Sequence, residues 1–157
     1  MRNNNYRDKE QFRSVDLLST KSIDEPLSVF YKDGAKIYLP KTGYAYQFAQ
    51  EFGMKNRRGR NDSKEVSSSQ IRKILNEIKA CGASLNEENF YEVRNRLFAI
   101  VPMTAYNAAR NKILVLYDFV YNHINEKTIQ SAEDIKVLDS LFTSIVAYRT
   151  ANEEKGK

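Results

Sequence analysis

Residues 102–125, PMTAYNAARNKILVLYDFVYNHIN, decide the predicted fold. After Pro102, apolar side chains cover most of the circumference of a helix running from about Met103 to Asn125. A helix that is apolar on nearly all sides is normally buried among other helices. The stretch therefore predicts a central helix that the rest of the chain surrounds.

Four further segments on either side carry apolar residues at helical spacing. They cover, approximately, residues 42–53, 67–82, 84–101 and 131–152. Ser67 and Gln70 have the spacing of a capping box, which satisfies free backbone donors at a helix start. The patterns together predict an all-α fold, a compact bundle of about five helices over residues 41–157.

Residues 1–40 are predicted to form an N-terminal extension that is partly irregular. Its first 22 residues are polar, with only scattered apolar side chains. Within residues 29–39, VFYKDGAKIYL, the pair Asp33-Gly34 separates two runs of residues that favour strands. An Asp-Gly pair in this position is typical of a tight hairpin turn, so a short β-hairpin is expected at 29–39.

Length and composition exclude several classes of protein. The chain has 157 residues, the length of one domain, with one Cys and one His. It therefore has no intramolecular disulfide and cannot build a His/Cys zinc cage by itself. The N-terminus has no apolar leader region, and the longest apolar run is interrupted by Asp118. These features predict a cytoplasmic protein that does not enter membranes.

Positive charge is concentrated between the first two predicted helices of the bundle. The net charge is +5, and in residues 55–64 only Asp62 opposes the cations Lys55, Arg57, Arg58, Arg60 and Lys64. On the following helix Arg72, Asn76 and Lys79 share one face. Loop and helix together can form one cationic surface for a phosphate backbone. The alternative is an ordinary solvated loop.

Arg110 is a further candidate, because it interrupts a segment that is otherwise nearly all apolar. A buried arginine requires a carboxylate partner or an anionic ligand. Two hypotheses follow, namely structural pairing with a carboxylate of the bundle and contact with RNA.

The sequence contains no constellation of residues suited to catalysis. His123 and Cys81 lack partners at an activating spacing, and both are interpreted as packing or surface residues. The acidic pairs Glu87-Glu88 and Glu133-Asp134 fall in predicted first helical turns, where the helix dipole favours negative charge. The sequence predicts a protein that is not an enzyme and has no metal or cofactor.

Two motifs taken together resemble the small subunit of type III-A CRISPR effector complexes, the second subunit family of the Csm complex. The first is SSSQIRKIL at 67–75, in which residues 69–73 match a helix start of the family. The second is PMTAYNAAR at 102–110, which matches at Ala105, Tyr106, Ala108 and Arg110. The resemblance covers residues 43–125 and adds Lys73 to the candidate RNA-binding residues.

The resemblance implies a compact helical bundle without catalytic activity. Such a subunit helps to assemble the effector for antiviral defence and contacts the backbones of CRISPR RNA and single-stranded target RNA without reading their sequence. Its expected partners are those RNAs, the backbone and large subunits of the complex, and neighbouring copies of itself. The alternative is a helical protein–protein interaction module with no nucleic-acid role.

Overall fold

The computed structural model describes residues 17–53 and 65–155 and confirms the all-α prediction. After a 3₁₀ turn at Leu18–Thr20, the helices are α1 (Leu27–Phe30), α2 (Gly34–Tyr38), α3 (Tyr44–Gly53), α4 (Ser68–Ser84), α5 (Phe90–Phe98), α6 (Ile100–Asn111), α7 (Val115–His123) and α8 (Ala132–Lys155).

The long C-terminal helix α8 is the centre of the packing. It contacts α1, α2, α3 and α4. Its fully buried side chains recur every three or four residues, so they form one continuous apolar stripe: Ile135, Leu138, Leu141, Phe142 and Ile145. At its start, Asp134 accepts hydrogen bonds from the backbone N–H groups of Ser28, Gln130 and Ser131, which ties α1 to the central helix.

The prediction of one central helix over residues 103–125 is wrong. The segment forms two helices, because α6 ends at Asn111 and Lys112 adopts a left-handed conformation with φ 58°. The backbone N–H of Lys112 donates to Ala108 O, which closes the helix end. Helix α6 packs against α5 and α7, whereas α7 also packs against α3 and the 3₁₀ turn, so the apolar residues of the two helices together resembled one helix that is apolar all round. The break before α6 lies at Ala99, and Pro102 sits inside the first turn of α6, where its missing N–H is not needed.

The β-hairpin expected at residues 29–39 is also wrong, because this stretch contains α1 and α2. The Oδ1 atom of Asp33 accepts a hydrogen bond from Ala35 N at 3.0 Å and caps α2. An aspartate can serve a hairpin turn or a helix start, and here the helix cap prevails. The flanking apolar residues Leu27, Tyr31 and Ile37 are buried in the core.

A buried glutamate joins the 3₁₀ turn to the bundle. Glu51 lies on α3 and accepts hydrogen bonds from Leu18 N, Ser19 N and Ser19 Oγ at 2.7–3.0 Å. Asn122 of α7 donates to Ser19 O at 2.8 Å. These bonds satisfy the polar groups of the turn, and residues 17–20 therefore pack between α3 and α7.

Candidate nucleic-acid interface

The structure describes four of the nine predicted RNA-binding residues. Arg72, Lys73 and Lys79 lie on α4, and Arg110 lies in the last turn of α6. The other five predicted residues fall outside the described part of the chain: Lys55, Arg57, Arg58, Arg60 and Lys64.

Helix α4 begins at the predicted cap, with one of the two hydrogen bonds that form a capping box. Ser67 Oγ accepts a hydrogen bond from Gln70 N at 3.2 Å, and the helix runs two residues past Gly82 to Ser84. One face of α4 buries Ile71, Ile74 and Ile78. Helical spacing therefore directs the cations of this helix away from the core, and all three are exposed.

The cations of α4 differ in their surroundings. Lys79 Nζ forms an ion pair with Asp139 Oδ1 of α8 at 3.0 Å. That pair offsets the charge of Lys79 and directs its side chain toward α8. Arg72 and Lys73 lie nearer the start of the helix, where the positive end of the helix dipole adds to their charge. The positive potential of α4 is therefore strongest in its first two turns.

Arg110 is exposed, and the hypothesis that it is buried in the bundle is wrong. The buried face of α6 is formed by Ile100, Thr104 and Ala108, which recur every four residues. Arg110 lies two positions after Ala108 and so falls outside this face. Its charge is available to a ligand in solution.

The two sequence motifs meet at a depression between α4, α6 and α7. We call it the α4–α6–α7 depression, and its lining residues are Gln70, Thr104, Asn107, Ala108, Ile113, Leu116 and Tyr117. Lys73 follows Gln70 by three residues on α4, and Arg110 follows Asn107 by three residues on α6. Residues three apart are neighbours on a helix surface, so each cation lies next to one lining residue, although neither lines the depression itself.

A second depression lies on the other side of the start of α4, against α8. We call it the α4–α8 depression, and its lining residues are Ser68, Ile71, Arg72, Val146, Arg149, Thr150 and Glu153. Two of these residues are arginines, and they lie beside the first turn of α4. Cationic groups therefore lie on both sides of this helix start.

Arg149 was not predicted from the sequence, although it is one of the buried charged residues of the bundle, with 7% of its surface exposed. Its Nη2 atom lies 3.2 Å from Glu65 Oε2, 3.4 Å from Val66 O and 3.7 Å from Glu153 Oε1. The pairing with Glu153 has i, i+4 spacing on α8. This spacing is the feature of the sequence that could have indicated an ion pair of Arg149.

Arg149 also contacts the end of α3. A Cβ atom added to Gly53 would lie only 2.6 Å from Arg149 Nη1, so the guanidinium uses the space that a glycine leaves. The N–H of Val66 donates to Phe52 O at 3.2 Å. These contacts hold the end of α3 and the residues before α4 together, and those are the two ends of the segment 54–64 that carries the loop cations.

His123 is a packing residue inside an aromatic cluster. Its ring stacks on Phe119 with centroids 4.0 Å apart, and the ring of Phe48 meets it edge-on at 5.3 Å. Its Nδ1 atom lies 2.8 Å from Phe119 O and its Nε2 atom 2.7 Å from Tyr31 Oη. A carbonyl only accepts, so Nδ1 carries the proton and Nε2 accepts from Tyr31. Burial lowers the pKa of His123 to about 4, although the bond to Phe119 O opposes the shift.

Cys81 is buried, and burial raises the pKa of its thiol, which keeps it protonated. Within residues 17–53 and 65–155, no three His, Cys, Asp or Glu side chains are placed to hold a metal ion. None of the helices in these ranges has both the length and the apolarity to cross a membrane.

The fold defines a class of protein, a small all-α bundle with exposed cations near the start of α4. The comparison with protein families makes this class specific. The family model Csm2 Type III-A matches residues 39–155, well over half of the chain. The chain therefore belongs to this family and is a small subunit of a type III-A CRISPR effector complex, in which it assembles with other Csm subunits. No curated protein and no solved structure matches the chain.

Proposed function

We propose that this subunit is non-catalytic and binds RNA, contacting the backbones of CRISPR RNA and single-stranded target RNA without sequence preference. In this role it works in the cytoplasm, beside the backbone and large subunits and neighbouring copies of itself. One observation carries the proposal: Gln70 of the first motif and Thr104, Asn107 and Ala108 of the second line one depression, and the exposed cations Lys73 and Arg110 follow Gln70 and Asn107 by three residues on the same helices.

The chemistry of this surface suits a phosphate backbone. Arg72, Lys73 and Arg110 are exposed, so they can meet phosphates without the cost of moving a buried charge. The guanidinium of arginine matches two phosphate oxygens at once, whereas lysine acts as a point charge. Contacts to phosphate position a protein on RNA but carry no sequence information. Binding by these groups is therefore expected to be insensitive to sequence and sensitive to salt.

The segment 54–64 is proposed to extend the same surface. The described residues that flank this segment lie close together at the start of α4, because the N–H of Val66 donates to Phe52 O and Ser68 begins α4. The five cations of the segment are proposed to add to the charge of Arg72 and Lys73: Lys55, Arg57, Arg58, Arg60 and Lys64. Residues 55–64 have the highest local density of positive charge in the sequence.

Replacing Arg57, Arg58 and Arg60 together by alanine is expected to weaken RNA binding through charge alone. Three lost phosphate contacts would flatten the log–log salt slope for single-stranded RNA by about 2, at about 0.7 per contact. The thermal stability should change by less than about 0.5 kcal/mol, as is usual for polar surface positions. The measurement is RNA affinity at several salt concentrations, alongside thermal unfolding.

The matched control replaces the same three arginines by lysine. The lysine variant keeps the charge, so its salt slope should differ from that of wild type by no more than about 0.7, the contribution of one phosphate contact. An alanine variant that binds RNA with the wild-type slope would contradict the role of this segment and restrict the interface to α4 and α6.

The purified subunit is expected to cleave no RNA. The described acidic, histidine and cysteine side chains form no metal site, and His123 is neutral and enclosed by aromatic rings. A cleavage assay with single-stranded RNA and divalent cations tests this, with the intact effector complex as the positive control. Cleavage that survives repeated purification and is lost in one point variant of this chain would contradict the proposal.

A second candidate function, protein–protein docking without RNA, is favoured by exposed apolar residues on α6 and α7. Tyr106 is 67% exposed, Tyr121 is 58% exposed, and Leu114 lies between them in sequence. Exposed aromatic side chains are common in protein interfaces. The two functions differ in one result, because docking alone predicts no salt-dependent binding of single-stranded RNA.

A further inference from the structure

The α4–α8 depression has the groups of an anion site, and one carboxylate already lies in it. Glu153 Oε1 accepts a hydrogen bond from Ser68 Oγ at 2.9 Å and lies 3.7 Å from Arg149 Nη2. Ser68 is the first residue of α4, a helix of 17 residues whose first N–H groups and dipole favour negative charge. Arg72 lines the same depression.

Arg149 does not depend on Glu153 for its charge balance. Its closer carboxylate is Glu65 at 3.2 Å, and Val66 O accepts from the same nitrogen atom. The side chain is more than nine-tenths buried, and its Nε–H group has no hydrogen-bond partner within the described residues. The guanidinium therefore retains a free donor in addition to these contacts, and Glu153 lies at the longer distance of 3.7 Å.

Glu153 thus occupies a place that suits any anion with two acceptor oxygens. Its carboxylate is partly exposed, so it can leave the depression for water without stranding a buried charge. A phosphate diester offers the same acceptors as a carboxylate to a hydroxyl group, an arginine and a helix start. Arg72, which also lines the depression, is a further donor for such a group.

We propose that the α4–α8 depression is a phosphate-binding site for the RNA backbone, in which the carboxylate of Glu153 holds the anion position until an RNA phosphate displaces it. The proposal rests on the proposed function, because it names a site where that RNA is bound. In this arrangement Glu153 weakens RNA binding by competing for Ser68, Arg72 and Arg149.

The test is Glu153→Gln, measured with a labelled oligouridylate RNA at several salt concentrations. The amide keeps the size of the side chain and an acceptor for Ser68 but removes the charge. The variant should bind RNA about threefold more tightly, the size of one exposed ion pair, and its salt slope should rise by about 0.7 for one additional phosphate contact.

The matched control is Glu133→Gln, which makes the same change of charge at the opposite end of α8. It should leave the slope unchanged, since it adds no phosphate contact. Adding Ser68→Ala to Glu153→Gln should return the affinity toward wild type, because the donor that held the anion is lost. The site would be overturned if Glu133→Gln gained as much RNA affinity as Glu153→Gln. It would also be overturned if the gain of Glu153→Gln persisted undiminished after Ser68→Ala was added.

Inorganic phosphate separates this inference from the proposed function. Phosphate, compared with chloride at equal ionic strength, should raise the thermal midpoint of Glu153→Gln more than that of wild type, because a neutral amide competes less strongly than a carboxylate with phosphate for the cationic groups of the site. If wild type binds RNA, but Glu153→Gln gains neither RNA affinity nor additional thermal stability with phosphate, the site is overturned and the proposed function stands. If no variant binds RNA but phosphate stabilises Glu153→Gln, the proposed function fails, and with it the assignment of this site to RNA.

Discussion

Replacing Arg149 by alanine is expected to lower the free energy of unfolding by about 2–3 kcal/mol. The change leaves a cavity beneath α4 and removes the donor to Val66 O, an acceptor on a buried residue. Glu65 and Glu153 remain partly exposed and are solvated after the change, so the loss stays below that of a fully buried pair. Chemical denaturation at neutral pH measures it.

Two variants isolate the cause of that loss. Arg149→Met keeps much of the buried volume and should recover part of the stability. Arg110→Ala removes an arginine that is exposed, and it should change the free energy of unfolding by less than about 0.5 kcal/mol. Equal losses for Arg149→Ala and Arg110→Ala would contradict the structural assignment of the two arginines.

Acidification is expected to destabilise the protein by about 3 kcal/mol between pH 6.5 and pH 4, through His123 alone. The pKa of this histidine is lowered to about 4 in the folded state, whereas an unfolded histidine has its ordinary value near 6.5. Over this interval the unfolded chain binds a proton that the folded chain does not bind. The stabilisation is therefore complete above pH 6.5 and falls as the pH approaches 4.

His123→Gln tests the source of this pH dependence. An amide can donate to Phe119 O and accept from Tyr31 Oη, but it does not titrate. The variant should lose the change between pH 6.5 and pH 4, whatever its stability at neutral pH. The titration of Asp134 does not interfere with this test. Burial acts to raise the pKa of its carboxyl group, but hydrogen bonds from Ser28, Gln130 and Ser131 outweigh burial and hold the pKa below its usual value. A variant with the full wild-type pH dependence would contradict the role of His123.

Sequence periodicity predicted best the helices that bury a single apolar face. Ala45, Phe48 and Phe52 on α3 and the stripe of α8 are buried as their spacing indicates. The prediction for segment 102–125 failed, because its apolar residues belong to two helices that pack against different neighbours. The break depends on the backbone conformation of Lys112, and a lysine carries no signal for a left-handed residue.

The residues of the candidate site were also predicted only in part. Local patterns located the cap at Ser67 and the exposed cations of α4, since both depend on residues a few positions apart. Arg149 was missed because its partners Glu65 and Val66 lie more than 80 residues away in sequence. The burial of a charged side chain is decided by tertiary packing, which composition and spacing do not encode.

The most direct test of the RNA-binding proposal is the affinity of this subunit for two unrelated single-stranded RNAs of equal length, measured from low to high salt. We expect both RNAs to bind equally within a few-fold. The log–log slope should have a magnitude of at least about 2, for phosphate contacts by Arg72, Lys73 and Arg110. A preference of tenfold or more for one sequence, or a binding constant that does not respond to salt, would contradict a subunit that holds RNA by its backbone.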